Sequence, residues 1–281
     1  MGKKSRYKAP FSDAPSPKRV DLPKNLVYFC ENGLDLKRTG TMKKTLSYGI
    51  IGNGKVARHI MHYFSMLGIQ YTNWSRSEKT SLSEKLSSVD VVLILINDSS
   101  IESFYKNHLF LNNKTCVHFS GALNIDGIIG VHPLMTFSLD LYPFDVYQKI
   151  PFIIEKGSFK FQDLFPNLIN PHYEIAKEQK AFYHAKCVMA SNYLVLILNN
   201  YYEYLNKEIG IPKDDTMLLI DTTLANVKLL GIKALTGPIS RGDLSTIEKN
   251  ISSLKLSGED QLYEKFISTY FPNIKDKQCS Q

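Results

Sequence analysis

Gly52-Asn53-Gly54-Lys55-Val56-Ala57 lies between Leu46-Ser47-Tyr48-Gly49-Ile50-Ile51 and a segment that runs from Val56 to Gly68, and its reading decides the fold. The first flank reads as a short buried strand. In the second, Val56, Ile60, Phe64 and Leu67 recur at helical spacing on one face, and Gly68 follows as a stop. Ile69-Gln70-Tyr71-Thr72-Asn73-Trp74 then reads as a second strand, completing a strand–helix–strand unit. A glycine-rich turn in that position suits the pyrophosphate of a dinucleotide. Gly52 permits the tight turn, Gly54 lets the backbone approach the phosphates, and small Ala57 lets the helix pack on the sheet. Asn53, Lys55 and Val56 complete the turn, and the free N–H groups of the first helical turn face the anion. The plain alternative is a tight turn with no ligand.

The end of the second strand bears on which dinucleotide. An acid about 20 residues beyond the first glycine usually takes the ribose hydroxyls of NAD. Here Ser75-Arg76-Ser77 stands in that place and the nearest acid is Glu78. A guanidinium with two hydroxyls suits a 2′-phosphate, so NADP is the expected cofactor, against the reading of a solvated Ser/Arg loop.

The alternation continues through Asp90-Val91-Val92-Leu93-Ile94-Leu95-Ile96, an apolar run suited to a strand covered on both faces. It ends at Asn97-Asp98, where Asp98 or Ser99 is placed to cap a helix. Thr115–Phe119 ends in Ser120-Gly121, a segment at 128–131 leads into His132-Pro133, and Pro151–Glu155 reads as a further strand. The pattern predicts a doubly wound α/β domain whose ligands sit at the carboxyl ends of the strands, where Asn97, Asp98, Ser120 and Gly121 are placed. From about Glu178 to Ile209 the period is helical, and later helices follow, so an all-α domain is expected next. The predicted divisions are an extension over 1–42, a dinucleotide-binding domain over 43–165 and a helical substrate or dimerisation domain over 166–276.

Charge locates the extension. Of the net charge of +7, residues 1–44 carry all of it, with 11 basic and 4 acidic residues, and the body holds 23 of each sign. A neutral body gives no electrostatic case for a nucleic-acid partner. The proline-rich basic start reads as a disordered arm, and an acid-poor transit peptide or a basic tail for membranes or RNA are alternatives. Met42 directly precedes the first strand and reads as a start, which would leave residues 1–41 as upstream sequence without a role. No apolar core follows the basic start, as a signal peptide requires, and Tyr193–Leu198 alone is too short to span a bilayer. Cys30, Cys116, Cys187 and Cys279 form no CxxC pair, which fits a reducing, cytoplasmic setting and no zinc site. His59 and His62 lie three apart beside the glycine turn and are expected to face solvent.

For chemistry, His184 and Asn192 lie eight apart, about 80° around an ideal helix, with Ser191 closer still in angle to His184. In an apolar helix such groups need partners, which an active site would supply. His184 would then give or take a proton, and Ser191 and Asn192 would hold the substrate or the carboxamide. A hydrogen-bonded cluster bridging helices is the alternative. His132 is placed to flank a nicotinamide or touch substrate, or else to stabilise its loop. Arg241 with Asp243 reads either as an anion clamp or as an ion pair fixing a turn. Ser245 and Glu248 offer a capping box.

Together, Gly-Asn-Gly-Lys-Val-Ala at 52–57, His132–Phe137, Tyr183-His184-Ala185 with Ala190-Ser191-Asn192, and Thr236–Asp243 resemble a Rossmann-like oxidoreductase family with a C-terminal helical domain of unknown function. That family belongs with the 6-phosphogluconate dehydrogenase C-terminal-like proteins. The resemblance spans about residues 43–275. It implies an NADP-binding domain, a helical domain and dimers formed through the helices, with pyrroline-5-carboxylate reductase a distant relation by fold. Hydroxyacid dehydrogenases carry a catalytic Lys four residues before an Asn, whereas Val188 stands at that distance from Asn192, so their mechanism does not transfer. The expected activity is hydride transfer to or from a small carbonyl, imine or hydroxy compound, with a non-catalytic NADP-binding regulator or scaffold as the alternative.

Overall fold

The computed structural model describes residues 46–157 and 159–274, so the predicted extension over 1–42 lies outside the described residues. The chain runs β1 (Tyr48–Ile51), α1 (Lys55–Met66), β2 (Tyr71–Trp74), α2 (Leu82–Lys85), β3 (Val91–Ile94) and α3 (Asp98–Asn107). It continues through β4 (Thr115–His118), β5 (Ile128–Pro133), α4 (Phe144–Lys149), β6 (Phe152–Glu155), α5 (Phe161–Leu164) and β7 (His172–Ile175). Helices then follow: α6 (Lys180–Val188), α7 (Leu194–Tyr204), α8 (Lys213–Leu230), α9 (Gly237–Arg241), α10 (Leu244–Leu254) and α11 (Asp260–Tyr270).

The seven strands form one sheet in the order β2-β1-β3-β4-β5-β6-β7, parallel except where β5 meets β6. The order reverses between β1 and β3, which opens a crevice at their carboxyl ends. Every residue of β1 and β3 is buried, as a central strand covered on both faces requires. Val91 and Leu93 face the layer of α1 and α4, and Val92 and Ile94 face the layer with Leu82, Leu86 and Ile101. Each large aliphatic side chain buried this way contributes about 1.5–3 kcal/mol.

Helix α1 forms because Ala57, Ile60 and Phe64 share the sheet-facing side, joined by Tyr63 and His59. It ends where Gly68 takes φ +66° and donates to Ser65, while Ile69 donates to Phe64 at 2.9 Å. This is the double bond of a glycine-terminated helix. His59 departs from the expected solvent exposure. It is only 1 % exposed, paired through Nδ1 with the Tyr147 hydroxyl at 2.7 Å and through Nε2 with the Ser138 carbonyl at 3.2 Å.

Strand β7 pairs with β6 and so carries the sheet beyond residue 165, where the sequence placed the domain division. Its approach is tied down by buried Asn170, which donates to the Tyr147 and Ile150 carbonyls and accepts from the Tyr63 hydroxyl. The predicted helix over 178–209 is present but interrupted by π-helical turns at Met189–Tyr193 and Leu205–Ile209. The whole span Lys177–Ile209 is 33 residues long, and by length and composition alone it is apolar enough to cross a membrane, although the Tyr193–Leu198 run within it is too short by itself. None of its apolar window is buried within the chain. Helix α10 is capped by Asp243, whose carboxylate accepts from Thr246 N–H at 3.1 Å, in place of the predicted Ser245–Glu248 box.

Candidate functional site

A cavity of about 740 Å³ opens at the switch between β1 and β3, lined by Gly52–Val56, Trp74–Ser77, Asn97, Asp98 and Ser120, among others. Gly52 sits at φ +120°, and a Cβ there would collide with the Leu95 carbonyl. Its own N–H donates to Trp74 at 2.9 Å, and Asn73 donates its side-chain N–H to the Gly52 and Ile50 carbonyls. Gly54 caps α1 without a side chain, and nothing lies within 4 Å of where its Cβ would stand. No acid occupies the first turn of α1, so its N–H groups face the cavity unopposed. A turn clear on its ligand side and closed on its strand side fits a dinucleotide pyrophosphate. Asn73 was not foreseen from sequence, and a polar residue on a buried strand beside the glycine turn was the available signal.

At the end of β2, the Ser75 and Ser77 hydroxyls pair at 2.9 Å, and Arg76 is exposed beside them. Glu78, the nearest acid, is turned to Lys85 at 2.9 Å. Asp98 does not cap α3, whose N-cap is Asn97 with no side-chain bond. Instead it accepts from the Ser120 hydroxyl at 2.5 Å.

Next to Ser120, outside the cavity lining, stands a second group of side chains. Gly121 is buried, and a Cβ on it would collide with the His184 ring and come within 3.1 Å of His132 Cδ2 and Nε2. The two imidazoles stand edge to face with centroids 5.7 Å apart. His132 is not in a loop: it lies on β5, paired with Ile153 of β6. Its Nδ1 is 2.7 Å from the Tyr183 hydroxyl. Burial pushes the His132 imidazole down to about 4, helped by the charges of His184 and Lys180 and opposed by Asp98.

Lys180 and Glu155 form a buried ion pair under this group, and Lys180 also donates to the Leu123 carbonyl. The pair occupies the space that Gly130 leaves by having no side chain. His118 faces Gly130 across β4 and β5. It is fully buried and is pushed down to about 3 by burial and then by Lys180. Its Nδ1 accepts from Ser120 N–H at 3.2 Å, and among the described residues its Nε2 is the buried side-chain atom left without a partner.

The structure thus brings Gly121, His132 and His184 together next to Ser120, which lines the glycine-turn cavity. Ser191 and Asn192 lie in the π-helical turn, where i→i+5 bonding replaces the spacing assumed for an ideal helix. The Ser191 hydroxyl is spent on the Cys187 carbonyl at 2.8 Å. Arg241 ends α9, which packs on α10. Its predicted partner Asp243 caps α10, and the bonds from Thr246, with a smaller contribution from the Arg241 charge, hold its carboxyl below the usual range. Cys116 and Cys187 are free thiols, and no cluster of three or more metal-ligating side chains occurs among the described residues.

Residues 151–269 match the model of a family described as a domain of unknown function (DUF2520). No curated protein sequence matches the chain. Solved structures share the fold. A candidate NADP oxidoreductase from Bacteroides fragilis is 21% identical with a TM-score of 0.59, the match covering 79% of this chain and 96% of that one. A protein from Thermotoga maritima is 20% identical with a TM-score of 0.59, over 82% and 99% of the two chains. Pyrroline carboxylate reductase from Plasmodium falciparum, solved with NADP bound, is 17% identical with a TM-score of 0.51, over 78% and 96%. These likenesses establish a Rossmann-like sheet followed by a helical region.

Proposed function

We propose that the protein is an NADP-dependent oxidoreductase that moves a hydride to or from a small carbonyl, imine or hydroxy compound. The observation that carries this reading is one cavity that runs from the Gly52–Val56 turn and the uncapped start of α1 to Ser120, the residue next to Gly121, on which His132 and His184 converge. The turn and α1 would hold the pyrophosphate. Arg76, Ser75 and Ser77 would hold the 2′-phosphate, since Glu78 is engaged by Lys85. The nicotinamide would supply the hydride, and the chain's own side chains would orient the substrate and manage its proton. Two of the similar structures bear descriptions that name NADP, which agrees with this assignment.

Titration of NADPH and NADH into the full chain, followed by nicotinamide fluorescence, tests the cofactor. NADPH should bind more tightly, and Arg76→Ala should remove most of that preference. A charge-assisted hydrogen bond contributes about 1.5–3 kcal/mol, so the ratio of affinities should fall by about 10-fold to 100-fold. A ratio unchanged in the variant would refute the role of Arg76.

The same reading includes a second copy of the chain. Leu194, Val195, Leu196 and Ile197 on the long helix are exposed, as are Leu218, Leu229 and Ile232 further on, so the helical region leaves many large apolar side chains in water. Packing against the same helices of a partner would bury them. Light scattering should give twice the 32.0-kDa mass of the chain, and Val195→Glu with Leu196→Glu should give monomers. A monomeric wild type, or one that partitions into phosphatidylcholine vesicles, would overturn the pairing.

A further inference from the structure

Tyr183 stands on α6 one residue before His184, and its hydroxyl is the group that meets His132 Nδ1 at 2.7 Å. The rings lie edge to face, with centroids 5.6 Å apart and 78° between planes. The other edge of the imidazole, Cδ2 and Nε2, lies against Gly121, whose lack of a side chain leaves room for the His184 ring. Among the described residues Nε2 makes no hydrogen bond, nor is it one of the sealed, unpartnered atoms. One ring nitrogen is therefore committed to the phenol, and the other is unengaged and not sealed off.

The direction of the Tyr183–His132 bond follows from acidity. A phenol is a far stronger acid than a neutral imidazole N–H, and its oxygen is the poorer acceptor, so the phenol donates and Nδ1 accepts. Burial, and then a hydrogen bond with Cys187, raise the Tyr183 hydroxyl well above its ordinary range, so it keeps its proton, and a neutral thiol sulfur is a weaker acceptor for it than an imidazole nitrogen. The groups around His132 are Tyr183, His184, Lys180 and Asp98, and their balance with burial keeps the ring uncharged near neutral pH. A neutral imidazole with Nδ1 occupied as an acceptor carries its single proton on Nε2.

We propose that Tyr183 is a positioning residue that fixes His132 as its Nε2–H tautomer, and that this N–H is a donor built for an uncharged acceptor atom, the oxygen of a carbonyl. The substrate part rests on the oxidoreductase reading above; the tautomer does not. As negative charge develops on that oxygen, a fixed N–H in a buried site stabilises it more than it stabilises the ground state, as neutral imidazole electrophiles do elsewhere. An iminium nitrogen has no lone pair to offer and would meet the N–H head-on. A carboxylate would need a cationic partner that the uncharged ring does not provide. The site is thereby set for carbonyl reduction in preference to reduction of a protonated imine.

Nitrogen NMR of the full chain, with 15N-labelled histidine and no cofactor, reads the tautomer directly at pH 7. The expected spectrum has His132 Nε2 as the protonated nitrogen and Nδ1 as the hydrogen-bonded acceptor. In Tyr183→Phe the separation between the two resonances should shrink as the second tautomer appears, with the thermal midpoint confirming a folded chain. A wild-type ring protonated on Nδ1, or on both nitrogens, overturns the proposal whatever the variant does. Cyclohexanone, acetate and pyrrolidinium, added in turn with NADP+, probe the substrate class. The Nε2 resonance should move with cyclohexanone alone. Movement with acetate or pyrrolidinium, or no movement with any of the three, would overturn the carbonyl assignment. Failure of NADPH to bind would count against the oxidoreductase reading only, because the tautomer is measured without it.

Discussion

Gly52→Ala should abolish dinucleotide binding and destabilise the fold together, whereas Gly54→Ala should weaken binding alone. At Gly52 the backbone has φ +120°, a region L-residues rarely enter, and the new Cβ would meet a backbone carbonyl that cannot rotate away. That carbonyl belongs to Leu95, whose N–H is bonded to Ile51 at 2.8 Å. Gly52 is itself held by Trp74 on one side and Asn73 on the other. With both neighbouring segments fixed, strain and overpacking add, at about 1–3 kcal/mol each. The unfolding midpoint in urea should fall accordingly, and NADPH affinity by at least about 100-fold, because the turn that aims α1 is displaced. Gly54 has an ordinary φ of −74° and open space around it. Its Cβ costs the fold little and stands where phosphate oxygens must approach. Wild-type NADPH affinity in Gly54→Ala would show that the turn does not cradle the pyrophosphate.

The contrast between these glycines also marks what a sequence can disclose. The strand–turn–helix unit was legible because every signal in it is local: the apolar run of β1, the spacing of Val56, Ile60 and Phe64, and the stop at Gly68. The placement of Asn97, Asp98, Ser120 and Gly121 at strand ends followed from the alternation alone, and all but Gly121 line the cavity. Other features depend on distant partners and carry no local mark. Strand β7 is only four residues long, with two of them exposed, so no apolar alternation announces it. His59 is buried because the segment from Phe137 to Tyr147 folds over α1, a contact no helical wheel contains. The alignment of His184 with Asn192 assumed one uniform helix, and the π-helical turn between them removes that assumption. Asp98 and Asp243 carry no local mark of their bonds either, since a short acid near a helix start serves equally as a cap or as a partner for a distant hydroxyl.

Lys180→Met should cost about 3–5 kcal/mol of stability, the largest effect expected of a substitution outside the glycine turn. The Lys180 side chain is 3 % exposed and that of Glu155 is 5 % exposed, so removing the ammonium leaves a carboxylate with no water to solvate it. The Leu123 carbonyl loses its donor in the same step. The double variant Lys180→Met with Glu155→Met should recover much of the loss, because two apolar side chains replace both charges and their desolvation. A double-mutant cycle on urea midpoints would then give a coupling of about 1–3 kcal/mol. A single variant as stable as wild type would show that the buried pair does not form. The consequence reaches the candidate site by geometry. Lys180 begins α6 and bonds it to the sheet through Glu155 on β6, and one turn later the same helix presents Tyr183 and His184 to His132. Gly130 is what allows this, since any side chain there would occupy the space of the pair. The ion pair therefore fixes the helix at the point from which its next turn reaches the imidazole of β5. Its loss should broaden the His132 ring resonances even in molecules that remain folded.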